Sequence, residues 1–120
     1  MISIRNTADL ARAFDGPMEP HLRALLTLRR DQLLDGTEVD LSELVHIIVV
    51  QHSDRLADVE AEAGFPLTGD DAALEWVERH PGGWVEGAII TDDDGHAVSI
   101  FVPDCIRTDP ALLLALLAHA

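Results

Sequence analysis

The stretch Val45-His46-Ile47-Ile48-Val49-Val50 constrains this chain more than any other. Five of its six residues branch at Cβ, which costs rotamer freedom in a helix and suits a pleated surface. The run does not alternate with polar residues, so it reads as a central strand buried on both faces rather than a half-solvated one. A sheet built round such a strand needs cover, and the rest of the chain supplies it as helices.

A short strand over Met1–Arg5 is followed by Asn6 or Thr7 as a helix cap, with Leu10, Ala11, Ala13 and Phe14 as apolar positions and Gly16-Pro17 as the stop. Pro20 opens a longer helix that runs to about Leu34. Leu22, Leu25, Leu26, Leu33 and Leu34 lie mostly on one face of it, and Asp35-Gly36 ends it. Beyond the central strand, Ser53 reads as the cap of a helix through Leu56, Val59 and Ala63, closed by Gly64. After the polar loop Thr68–Asp71, the spacing of Leu74, Trp76 and Val77 predicts a short helix over Ala72–Arg79. His80-Pro81-Gly82-Gly83 breaks the chain. Trp84–Thr91 and His96–Val102 then flank Asp92-Asp93-Asp94-Gly95 as a β-hairpin. Thr108 or Asp109 caps a last helix starting at Pro110. The sum is one α+β domain over residues 1–120: an N-terminal helical hairpin and a small, mostly antiparallel sheet covered by helices, in the order α-α-β-α-α-β-β-α.

Charge narrows the function. The chain has 22 acidic and eight basic residues, a net −14, and every basic residue is Arg. Residues 1–40 carry five Arg and seven acids, whereas residues 41–120 carry three Arg and fifteen acids, so the anionic field belongs to the later part. Direct nucleic-acid binding is excluded, because cationic side chains supply most of that affinity. With no Lys, Schiff-base chemistry is excluded as well. The lone Cys105 cannot close an intramolecular disulfide. No stretch approaches the ~20 apolar residues of a membrane span, and the N-terminus carries no apolar run of signal-peptide length, so a cytoplasmic protein is expected.

The residue types that carry chemistry form no strong motif. Asp92, Asp93 and Asp94 before Gly95 suggest a calcium loop, but that alignment puts Ile90 at the first ligand position and Phe101 at the twelfth. The cluster therefore reads as a solvated turn. Of the six histidines, His46 and His52 flank the central strand, and His96 is within reach of them across a sheet of unknown register. These three are weak metal candidates, since no His-Glu-x-x-His pair and no second Cys accompany them. The four serines lack a nucleophile elbow, and Cys105 stands beside the opposing carboxylate of Asp104. No cofactor, metal or catalytic residue is assigned.

Pro110–Ala118 is apolar all round. A helix of that kind is either engulfed by the core, the favoured reading, or turns its outer face to a partner or to a second copy of the chain. Leu113 and Leu117 on this helix, Trp84 beside Gly82-Gly83, and the acidic Asp92, Asp93 and Asp94 are the candidate partner-binding residues.

The succession Asp40–His46, Asp54–Glu60 and Gly64–Leu67, with Glu75–Glu78, Gly82-Gly83-Trp84, Phe101-Val102-Pro103 and Asp109-Pro110, resembles a family of small proteins encoded on plasmids and other mobile elements of proteobacteria. The loop between Leu67 and Trp76 is shorter here than in that pattern. The resemblance covers most of the chain and implies a genomic setting, with no activity and no functional residue attached. The expected function is a non-enzymatic acidic protein that binds a macromolecular partner, such as an accessory factor of a mobile element. Two alternatives are an acidic mimic of nucleic acid that blocks a basic nucleic-acid-binding protein, and a small metal-dependent or hydrolytic enzyme using His and carboxylate residues.

Overall fold

In the computed structural model, which describes residues 1–34, 45–68, 73–90, 97–105 and 109–118, the β-branched run forms the strand β2, Val45–Val49, buried at every position. Around it lie β1 (Ile2–Ile4), α1 (Thr7–Asp15), α2 (Pro20–Leu34), α3 (Leu56–Ala63), β3 (Trp76–His80), β4 (Trp84–Ile90), β5 (Ala97–Pro103) and α4 (Pro110–Leu117). The five strands make one mixed sheet in the order β1-β2-β5-β4-β3. β2 pairs with β5 in parallel, and the other three pairings are antiparallel.

Alternation along the strands sorts the core into two layers. Val45, Ile47, Val49, Trp84 and Phe101 point to the side covered by Leu10 of α1 and by Leu22 and Leu26 of α2. Ile48, Val85, Ile89, Val98 and Ile100 point to the other side, against Val59 and Ala63 of α3 and Leu112, Ala115 and Leu116 of α4. Helices thus cover both faces, as an all-apolar central strand demands.

Local signals place most helix ends. The Asn6 side chain accepts from the Asp9 N–H and caps α1, Pro20 opens α2, and Gly64 closes α3 in the left-handed conformation at φ +79°. Asp109 caps α4 through Ala111 N–H, and its second oxygen accepts from Leu56 N–H at 2.9 Å. One carboxylate therefore ties the starts of α3 and α4 together. Ser53 is not the cap of α3, which begins at Leu56 after Arg55. The Asp54 carboxylate turns back to Gln51 N–H instead, at 2.7 Å, and holds residues 51–54 as a turn.

The expected helix over Ala72–Arg79 is a larger correction. Trp76–His80 is strand β3; with the edge strand β1, which the expected order leaves out, the described residues hold five strands in the order β-α-α-β-α-β-β-β-α. The cause lies just beyond it. Gly82 and Gly83 both take positive φ, +85° and +83°, and this reverses the chain so that β3 pairs with β4 from His80↔Trp84 to Trp76↔Ala88. Trp76 sits at the sheet edge with 40% of its surface exposed. The guanidinium of Arg29 lies 5.9 Å from its ring centroid.

The C-terminal helix is mostly engulfed. Leu112 and Leu116 are fully buried, Leu113 and Leu117 are half-buried against the same core, and Leu114 is 63% exposed. No helix among the described residues is long and apolar enough to cross a membrane.

Candidate functional site

One end of the sheet opens into a groove of about 450 Å³, within the range of sites that take a small molecule or a few side chains. Four elements end here. Ile2 comes from β1, Val49 and the residues after β2 from the second, Trp84 from the start of β4, and Pro103-Asp104-Cys105 from the end of β5. The corner between α1 and α2 closes one wall with Pro17, Met18, Glu19 and Leu22, and Gly82-Gly83 closes another.

Hydrogen bonds hold the corner in place. Arg23 donates to the carbonyls of Phe14 and Gly16 at 2.8 and 3.2 Å, with its guanidinium over the Phe14 ring. Glu19 precedes α2 and receives four donors. Oε1 accepts from His21 N–H and lies 2.9 Å from His21 Nδ1, while Oε2 accepts from Leu22 N–H and from the Trp84 indole N–H at 2.9 Å. The side chain thereby caps α2 and fastens it to β4. Gly82 is packed against this wall: an added Cβ would fall 2.2 Å from the His21 ring.

The His21 N–H, then the Trp84 indole and the His21 ring, pull the Glu19 carboxyl from its ordinary 4.5 to about 2. Because the folded form holds this group ionised so far down, its stabilising contribution is complete above about pH 4.5 and is lost as pH falls toward 2. The stability advantage of the wild type over Glu19→Gln should therefore shrink between those pH values. Urea unfolding of both proteins across that range checks it, and parallel curves would contradict the capping role.

At the groove mouth, the exposed Cys105 Sγ lies 3.8 Å from His52 Nε2. Sequence reasoning treats His52 as a metal candidate and Cys105 as an unsupported nucleophile, and says nothing of their meeting. They come from loops after different strands, so only the parallel β2–β5 pairing brings them together.

Two further polar clusters lie elsewhere. His46 is buried on the α3 side, with Nε2 2.7 Å from Ser3 Oγ. Ser3 Oγ donates to Glu62 Oε1 at 2.7 Å, and Arg5 reaches the same oxygen at 2.6 Å. The Ser3 hydroxyl and the Arg5 guanidinium hold the Glu62 carboxyl below its ordinary range. Residues of hydrolytic type meet here, but the acid contacts the serine itself, and the hydroxyl proton is committed to the carboxylate. What the arrangement does is stitch β1 to β2 and α3.

The third cluster lies under α2. Glu86 is 1% exposed and receives Arg29 on both oxygens, at 2.5 and 3.2 Å, and His80 Nε2 at 2.8 Å. Glu78 faces Glu86 across the β3–β4 pairing, 3.8 Å from the same guanidinium. Glu78, His80 and Glu86 have the residue types and the proximity of metal ligands, yet Arg29 already supplies a cation to the buried carboxylate. The cluster works as an ion-paired tie between α2 and the sheet.

Of the sequence-predicted residues, Trp84 lines the groove, 9% exposed. His46 and His52 are held by different partners, Ser3 and Cys105. His96 and the acidic Asp92, Asp93 and Asp94 lie outside the described residues. Leu113 and Leu117 lie on α4, away from the groove lining. The groove as a site, Glu19 and the buried Glu86 were not found from sequence. The one signal that pointed toward the groove was Gly82-Gly83 beside Trp84.

No match identifies the chain. No protein-family model fits it, and neither curated proteins nor solved structures include one similar to it.

Proposed function

We propose that this protein is a small, acidic, non-enzymatic binding protein, an accessory factor of the kind a mobile element carries, and that it engages a protein partner through the groove at the end of the sheet. The observation that carries this reading is the groove itself. It is a concavity of about 450 Å³ with Ile2, Met18, Leu22, Val49 and Pro103 in its walls, and its corner is pinned by Glu19 and Arg23. Preformed walls lower the ordering cost of binding. The polar clusters that resemble catalytic sites support the same reading, since Ser3 is committed to Glu62 and Glu86 to Arg29 and His80.

Cys105 provides the test, because it is the one cysteine of the chain and lies in the groove wall. Affinity capture from the native host is run with the untreated protein and with protein carrying a bulky maleimide on Cys105. A partner retained by the first and lost by the second is the expected result. A partner held equally by both would place binding elsewhere, and capture of none would count against a binding function.

A further inference from the structure

Resting on that reading, we infer that the groove receives an arginine side chain presented by an apolar segment of the partner. Two carboxylates, Glu19 and Asp104, stand in the groove lining, and among the described residues no Arg does. The two differ in what they can offer. Glu19 is occupied by donors from His21, Leu22 and Trp84, so it contributes a fixed negative charge rather than a free acceptor. Asp104 is the opposite case. Its backbone N–H donates to Gly83 carbonyl oxygen at 2.8 Å, which fixes the residue against the turn, while its exposed carboxylate takes no hydrogen bond from the described residues. Gly83 makes room for that carboxylate, since a Cβ there would fall 2.9 Å from Asp104 Oδ1.

The rest of the lining is mainly apolar, with Ile2, Met18, Leu22, Val49 and the Trp84 indole, and takes in the polar Gln51 and His52 as well. A ligand that fits needs an apolar stem, a cationic head, and a head that tolerates partial desolvation. Guanidinium meets these conditions better than ammonium: it is planar, more weakly hydrated, able to bind a carboxylate with two parallel hydrogen bonds, and favourable beside an indole. The net charge of −14 acts in the same direction, drawing cationic segments toward the surface in a salt-dependent way.

The test uses two peptides, acetyl-Leu-Arg-Leu-amide and its uncharged isostere acetyl-Leu-citrulline-Leu-amide. Each is titrated into ¹⁵N-labelled Trp76→Phe protein, in which Trp84 gives the single indole N–H signal. The arginine peptide should shift that signal and bind about tenfold more tightly than the citrulline peptide, the preference expected of one charge-assisted contact. Asp104→Asn, with an otherwise unchanged amide spectrum, should bring the two affinities within about twofold, and added salt should do the same. Equal binding of both peptides by the unsubstituted groove would overturn the arginine inference and leave an apolar docking groove. A Trp84 signal unmoved by either peptide would also overturn it. The separate loss or retention of the captured partner on Cys105 modification would then say whether the groove reading itself survives.

Discussion

Replacing Arg29 by Ala should destabilise the protein by about 3–5 kcal/mol, among the largest effects of any surface-reaching side chain in the fold. Glu86, the carboxylate that Arg29 serves, is 1% exposed and sits on β4 beneath α2. Without the guanidinium, the buried charge keeps, among the described residues, only the His80 contact at 2.8 Å, and Glu78 faces it across the strand pair. The cost comes from leaving a charge buried and uncompensated rather than from losing a strong attraction. The paired replacement Arg29→Met with Glu86→Leu should therefore cost much less than Arg29→Ala alone. Urea unfolding of the three proteins measures both. A loss below about 1 kcal/mol for Arg29→Ala, typical of an exposed ion pair, would show that water reaches Glu86 freely.

Phe101→Ala should cost a similar amount, about 3–5 kcal/mol, for an unrelated reason. Phe101 is fully buried in the layer under α1 and α2. It lies opposite Val49 on one neighbouring strand and Glu86 on the other. Its ring centroid is 6.4 Å from that of His80. Truncation removes the largest fully buried side chain of the layer and opens a cavity at the junction of β2, β5 and β4, where relaxation would have to move three strands at once. Phe101→Leu, which keeps most of the volume, should cost clearly less. Thermal and urea unfolding of the two variants check the order, and equal losses would mean that volume is not what Phe101 contributes.

What could be read from the sequence is what is decided locally. The β-branched run became the buried β2. Asn6, Pro20, Gly64 and Asp109 act where their cap chemistry predicts. Trp84–Ile90 and Ala97–Pro103 pair as antiparallel neighbours. The failures share a different cause. Leu74, Trp76 and Val77 suit a helix by spacing, but the positive-φ pair Gly82-Gly83 folds the segment back onto β4, and ladder pairing outweighs local propensity. Ser53 is a good cap by type, yet Asp109, far along the chain, takes the α3 N–H instead.

The groove was illegible for the same reason. Its lining comes from five separated parts of the chain, and the parallel β2–β5 register that brings His52 to Cys105 leaves no local trace. Glu86 looked like one more acidic residue on a strand. Its importance depends on Arg29, 57 positions earlier.

The most direct test of a groove-centred function is an amide and indole NMR spectrum of the labelled protein with and without the captured partner. The shifts are expected at Ile2, Met18, the Trp84 indole and Cys105, with α4 unchanged. Shifts confined to Leu113, Leu114 and Leu117, with the Trp84 indole unmoved, would contradict the account and make the C-terminal helix the binding surface.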